Sequence, residues 1–254
     1  MKEAVLSHLP QDFPWDIQYL ETVDSTNTAL RDAPHGSVLI AGHQTGGRGR
    51  MGRSFHSPAG QGLYLSVLLR PRCRAEQLMH LTCAAAVAAC EAVPVKCGIK
   101  WTNDLVVGQK KLGGILTELS LNADGTLRWA IIGIGINCCQ RAEDFPRELR
   151  SIATSIAMET ARIPDRAKLA AALLESLKKM SDSLLTGKEE MLQRYRANCI
   201  TLGKEISLVR GEEIRHGTAL DIDEEGALLV RFSDGTVRAV QSGEVSVRGM
   251  YGYV

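Results

Sequence analysis

The sequence predicts an α+β protein: a mixed, mostly antiparallel sheet packed with helices, followed by a small β-barrel. Three observations predict it. The first 150 residues mix short apolar strand patterns with a few helical ones. Two of those strands, 114–121 and 126–137, are joined by Asn122-Ala123-Asp124-Gly125 and read as an antiparallel hairpin. After Gly203, short alternating strands recur between glycine-containing turns.

Taken in order, Asp24-Ser25-Thr26-Asn27 ahead of Thr28-Ala29-Leu30-Arg31 reads as a capped short helix, because such side chains accept the free N–H groups of a first turn. Residues 37–42 form a buried strand running into a loop rich in glycine and arginine, and 63–70 form the strand that leaves it. In that second strand Leu63, Leu65, Val67 and Leu69 share one face. The alanine-rich run 76–92 is a close-packed helix, and strands follow at 98–107, 114–121 and 126–137. The stretch 166–199 is helical, with Leu169, Leu173, Leu177, Met180 and Leu184 as an apolar stripe and a break at Thr186-Gly187. Strands at 205–209, 217–221, 228–232, 236–240 and 244–247 make the barrel. The expected division is a catalytic domain over 1–200 and the barrel over 201–254.

A chain of 254 residues has room for one large domain and one small one. With 44% hydrophobic and 23% charged residues its composition is that of an ordinary soluble protein. No apolar run approaches the roughly 20 residues that span a bilayer. Residues 1–15 include Glu3, His8 and Asp12 and do not make a secretory signal, so a cytoplasmic location is expected. The seven cysteines contain no Cys-x-x-Cys pair and read as buried, reduced thiols. None of the six histidines is spaced for a structural zinc site.

The most telling segment is Gly46-Gly47-Arg48-Gly49-Arg50-Met51-Gly52-Arg53. Glycine lets backbone N–H groups approach a ligand, and arginine supplies permanently charged, forked donors for carboxylate or phosphate. No Asp or Glu occurs between Asp32 and Glu76, while six arginines do, in a chain whose net charge is only +1. That is a local anion-holding device. Gly47-x-Gly49-x-x-Gly52 matches the dinucleotide fingerprint in letters, but Ser54-Phe55-His56-Ser57-Pro58 opens no helix and the distal acid is missing. A P-loop would need Gly-Lys-Ser/Thr, which is absent. An RNA-binding arginine–glycine segment stays open at this point.

A second polar group lies in Lys100-Trp101-Thr102-Asn103-Asp104-Leu105 and Lys110-Lys111-Leu112-Gly113-Gly114-Ile115-Leu116. Asn103 and Asp104 interrupt an apolar strand, where polar groups are expensive unless used. An Asx-turn, and a charged turn at Lys110-Lys111, are the plain alternatives.

Together these segments resemble the biotin protein ligase family, in its short form without a DNA-binding domain. The shared residues are Asp24-Ser25-Thr26-Asn27, Gln44-Thr45 with the Arg loop to Arg53, Ser57-Pro58 and Gly62-Leu63-Tyr64. They continue with Lys100-Trp101-Thr102-Asn103-Asp104, Lys111 to Leu116 and Gly133-Ile134-Gly135-Ile136-Asn137. The chain departs from the family pattern at Thr102, where proline is usual, and at Phe55, where tryptophan is common. About 17 residues precede the first strand, too few for a helix-turn-helix, so no DNA binding is expected.

The resemblance implies a class II synthetase-like catalytic domain and an SH3-like C-terminal barrel. It implies ATP-dependent activation of biotin to biotinyl-5′-AMP, with Mg²⁺, and transfer to a lysine of a biotin carboxyl carrier protein domain. Lys111 and Arg50 would be catalytic. Biotin would meet Ser25, Thr26, Asn27, Gln44, Arg48, Gly49, Arg50, Lys111, Gly114 and Gly133. ATP would meet Arg50, Arg53, Phe55, Lys100, Asn103, Asp104 and Asn137, with Asp104 toward the metal. The loop would close over the intermediate. No membrane partner is expected, and both monomer and homodimer are compatible. A lipoate ligase of the same chemistry is the alternative enzyme, and a non-catalytic RNA-binding module is the alternative of another class.

Overall fold

The computed structural model describes residues 1–241 and the backbone of 246–249. Seven strands form the main sheet: β1 (Asp16–Val23), β2 (Ser37–Gln44), β3 (Gly62–Leu69), β4 (Gly98–Lys100), β5 (Asp104–Val107), β6 (Lys110–Leu121) and β7 (Leu127–Asn137). Their order is β1-β2-β3-β7-β6-β5-β4; β1 and β2 are parallel and every other pair is antiparallel. The expected β6–β7 hairpin is present, closing at Leu121 opposite Leu127.

The helices are α1 (Lys2–Leu6), α2 (Thr26–Ala29), α3 (Leu81–Ala92), α4 (Ile156–Thr160), α5 (Arg166–Ser183) and α6 (Lys188–Asn198). α3 packs against α5 and α6, and this layer covers one face of the sheet. Leu63, Leu65, Val67 and Leu69 of β3 and Ile132, Ile134 and Ile136 of β7 join Ala85, Ala89, Leu173 and Leu177 in that core. Each of the leucine, isoleucine and valine side chains contributes about 1.5–3 kcal/mol when fully buried. Alanines on α3 let the helix lie close to its neighbours.

The alternation in β3 suggests one apolar face, yet all eight residues are buried. β3 sits third in the sheet, and its other face packs Leu68 with Leu30, Leu39, Trp129 and Ile131 in a second cluster. The remainder of that face, around Tyr64 and Ser66, floors the site described below.

Several expectations are corrected. The strand 98–107 is two strands, turning at 101–103 so that Lys100 pairs with Asp104. The turn is held from outside the sheet: Trp101 N–H donates to Thr201 Oγ1 at 2.9 Å and its indole Nε1 donates to the Gly226 carbonyl at 3.0 Å. The helix 76–92 is a 3₁₀ turn, Ala75–Leu78, followed by α3, with His80 at the junction bonded to the Leu184 carbonyl at 3.1 Å. The long helix 166–199 is α5 and α6, broken at the expected Thr186-Gly187. α2 is one turn long and Ser25 does not cap it through its side chain; Thr26 N–H donates instead to Gln44 Oε1 at 2.9 Å.

A second sheet follows: β8 (Glu205–Arg210), β9 (Glu213–Ile222), β10 (Leu228–Phe232), β11 (Val237–Val240) and β12 (Ser246–Gly249), in the order β11-β10-β9-β8-β12, all antiparallel. β9 is longer than expected because its first half, 213–216, is exposed and shows no alternation. Of the strand expected at 244–247, residues 244 and 245 lie outside the described residues. Arg196 of α6 docks this unit, donating from NH2 to the Ile222 carbonyl at 2.8 Å. The described cysteines are free thiols, five of them buried, as composition suggests.

Candidate functional site

On the sheet face away from α3 and α5 lies a cavity of about 440 Å³. The sequence of β7 explains why it exists. Along Gly133-Ile134-Gly135-Ile136 the isoleucines enter the helical core and the glycines face the opening. A Cβ on Gly133 would crowd Asn27, whose Cγ lies 2.9 Å from that position, and one on Gly135 would lie 2.5 Å from Phe55 Cε1. Side chains of α2 and the Arg loop therefore rest on bare backbone.

One end of the cavity is neutral and hydrogen-bonded. Gln44 Oε1 accepts from both the N–H and the hydroxyl of Thr26, at 2.9 and 3.1 Å. Gln44 Nε2 donates to Ser57 Oγ at 3.0 Å, which donates to the Phe55 carbonyl at 3.0 Å. Ser66 Oγ donates to Asn27 Oδ1 at 2.6 Å and lies 2.7 Å from Thr26 Oγ1. Ser25, Thr26, Asn27 and Ser66 are all buried, so these groups are fixed by one another before any ligand arrives.

The other end is cationic. Arg48, Arg50, Arg53, Lys100 and Lys111 line the cavity, with Asp104 as the carboxylate among its lining residues. Lys111 Nζ donates to Asp104 Oδ1 at 2.6 Å. Arg50 NH1 donates to Asn103 Oδ1 at 2.8 Å, and Asn103 Nδ2 donates to the Ile115 carbonyl at 2.9 Å, which sets the polarity of that amide. Burial pulls the Arg50 guanidinium below its ordinary pKa, against the opposing charge of Asp104, so a second anion here would be well received. Among the described residues no group of three His, Cys, Asp or Glu side chains could hold a metal by itself.

The Arg loop is folded back on itself as a hairpin. Gly49 N–H donates to the Arg53 carbonyl at 2.7 Å and Phe55 N–H to the Gly47 carbonyl at 2.8 Å, around a 3₁₀ turn at Arg50–Gly52. Met51 adopts φ 55° at its tip, a left-handed conformation uncommon outside glycine.

Every residue named from the sequence for biotin lines this cavity: Ser25, Thr26, Asn27, Gln44, Arg48, Gly49, Arg50, Lys111, Gly114 and Gly133. So do Arg53, Phe55, Lys100, Asn103 and Asp104. Asn137 does not. It is buried, its Nδ2 donates to the Thr154 carbonyl at 3.0 Å, and its Oδ1 accepts from Gln140 at 3.3 Å, so it braces the end of β7. Trp101, Ile115, Leu116, Gly135 and Ile152 line the cavity without having been singled out for it. Glycine at every second position of β7 was the signal for Gly135; Ile152, in an irregular segment, carried none.

Among known families, the biotin/lipoate A/B protein ligase family matches residues 19–137 and the biotin protein ligase C terminal domain matches 201–248. The chain is 34% identical over 90% of its length to the bifunctional ligase/repressor BirA of Bacillus spizizenii, covering 73% of that protein. It is 33% identical over 83% of its length to the biotin–[acetyl-CoA-carboxylase] ligase of Mycobacterium tuberculosis, covering 78% of it. The structure of the Aquifex aeolicus biotin protein ligase in complex with biotin and ATP superposes with a TM-score of 0.75 at 33% identity, over 92% of this chain and 99% of that one. The shared motifs in order, a cavity that gathers fifteen of the sixteen expected residues, and relatives of this similarity across both sheets lead to one conclusion: the chain belongs to the biotin protein ligase family and is a biotin ligase.

Proposed function

We propose that the cavity binds biotin with its ring at the Asn27–Gln44 end and its carboxylate toward Lys111, beside the phosphates of ATP. The observation that carries this is the union, in one cavity, of a preset neutral hydrogen-bonding end and an end with five cationic side chains. A carboxylate oxygen attacks the α-phosphorus, the bond to the β-phosphate breaks, and pyrophosphate leaves. Two anions meet in that step, so Arg48, Arg50, Arg53, Lys100 and Lys111 offset their repulsion and the charge that develops. Asn103 holds Arg50 in place for this. Mg²⁺ favours few carboxylates together with phosphate oxygens, which Asp104 and the nucleotide supply; bound there, it would neutralise phosphate charge. In the second step the amine of a carrier lysine attacks the carbonyl carbon of the mixed anhydride, an amide forms, and AMP leaves.

The acceptor is a biotin carboxyl carrier protein domain, by analogy with the acetyl-CoA-carboxylase ligase named above. Residues 1–200 act as the catalytic unit and 201–254 as the C-terminal one, in the cytoplasm, without DNA; no helix among the described residues is long and apolar enough to cross a membrane. The ordered amide end favours a ureido ring over lipoate, whose dithiolane ring brings no N–H donor. Purified protein with biotin and Mg-ATP should release pyrophosphate and label an acceptor carrier domain. Release with lipoate and none with biotin would reject the reading.

A further inference from the structure

Glu118 has no role in the chemistry above, yet three segments of the site converge on it. It stands on the cavity face of β6, two residues beyond Leu116, and the Leu116 carbonyl accepts from Asn27 Nδ2 at 3.2 Å. The Glu118 carboxylate accepts from Asn27 Nδ2 at 2.8 Å, from Arg48 NH2 at 2.6 Å and from Arg31 NH2 at 3.2 Å. Both N–H groups of the Asn27 amide are therefore used inside the protein. Its Oδ1 already accepts from Ser66, and turning the amide over would break these bonds together. What Asn27 has left for a ligand is acceptor capacity on Oδ1. Arg48 is the residue at which the Arg hairpin leaves the sheet side of the cavity, bridged to Ser54.

We propose that Glu118 is a positioning residue for the biotin end of the site: one carboxylate fixes Asn27 as an acceptor and, through Arg48, ties the root of the Arg hairpin to the same strand. This rests on the ligase reading. An exposed ion pair contributes little, because water screens it and side-chain entropy opposes it. Here the carboxylate side chain is only 21% exposed and is shared among three donors, so neutralising it loosens an amide orientation and a loop at once. Ring recognition and loop closure are joined, since one anion serves both.

The test is Glu118→Gln, which keeps the shape and replaces an acceptor oxygen with a donor. Losing bonds to a charged acceptor should raise the Kd for biotin, measured by calorimetry without nucleotide, roughly 10- to 100-fold. The KM for ATP should move less than about threefold, because Glu118 bonds just one of the five cations at that end, Arg48. Trypsin should cut after Arg50 and Arg53 faster than in the wild type. A biotin Kd within about twofold of wild type, or equal weakening of biotin and ATP, would overturn the proposal. Should Glu118→Gln fail to fold, Arg48→Met removes the loop limb and keeps the Asn27–Glu118 bond: cleavage after Arg50 must accelerate while biotin weakens less than about tenfold, and unchanged cleavage overturns the proposal. A wild-type protein that neither binds biotin nor releases pyrophosphate would reject the ligase reading itself, an outcome distinct from all of these.

Discussion

Replacing Gly133 with alanine adds one methyl group at the place where the structure has least room for it. The new Cβ would overlap Asn27 Oδ1 and lie 2.9 Å from its Cγ, well inside van der Waals contact. Gly133 has an ordinary strand conformation, so alanine is acceptable to the backbone and the whole effect falls on Asn27. Asn27 is buried and bonded to Ser66, Leu116 and Glu118, and to move aside it must release at least the Ser66 and Glu118 bonds. A neutral hydrogen bond is worth about 1 kcal/mol and one to a charged group about 1.5–3, giving about 2.5–4 kcal/mol for the pair. Expressed as affinity, that is about 10²–10³-fold in the Kd for biotin. Calorimetric titration of biotin into Gly133→Ala measures it directly. Gly135→Ala is the internal comparison: its Cβ meets the half-buried ring of Phe55 and not the Asn27 amide, so biotin should weaken by less than about tenfold. A Gly133→Ala protein that binds biotin within threefold of wild type, or no worse than Gly135→Ala, would refute the close-approach reasoning.

Lys111→Ala removes the ammonium held 2.6 Å from Asp104 at the cationic end, and the rate of pyrophosphate release should fall roughly 10²–10³-fold; a loss below about fivefold would make Lys111 only the structural partner of Asp104. Arg50→Gly deletes the bond to Asn103 and a guanidinium proposed to face the phosphates, so the intermediate should escape: serum albumin should become labelled on a streptavidin blot while pyrophosphate release falls by less than retention does. Albumin labelling at the wild-type level, with synthesis intact, would show that Arg50 does not retain the intermediate. His80 is pushed below its ordinary pKa by burial, partly offset by its bond to the Leu184 carbonyl. The unfolded chain then binds more protons as pH falls below about 6.5, so this contribution to stability is complete above that pH and is lost on acidification. The thermal midpoint should drop between pH 7.5 and 5.5, and His80→Gln should shrink that drop; an unchanged profile would rule His80 out as the cause.

The cavity-lining parts of the site were legible because their residue types are unusual where they stand. Arginines among glycines and an Asn-Asp pair inside an apolar strand both violate local preference, and such violations mark sites. Glu118 was not legible. In 114–121 it reads as a polar residue on a half-exposed strand, and only the meeting of α2, the Arg hairpin and β6 gives it partners. Asn137 stands apart from the cavity lining, since a polar residue ending a glycine-rich strand serves equally well as a brace. In the fold, the β6–β7 hairpin and the break between α5 and α6 followed from turn chemistry, while α1 and α4 are too short to show a period. The split of 98–107 was hidden because its cause lies a hundred residues away, at Thr201 and Gly226.

That distant cause has a thermodynamic corollary. The indole of Trp101 spends its N–H on Gly226, in the turn between β9 and β10, while the neighbouring Lys100 and Asn103 line the cavity. Seating of the C-terminal sheet and order in the 101–103 turn are thus a single equilibrium written at two addresses. Whatever binds between Lys100 and Asn103 and needs that turn in place also holds the C-terminal sheet down, by the same free energy with which the seated sheet favours the ligand. A protease acting on residues beyond Gly203 would therefore report, at a distance, on the filling of a cavity it never touches.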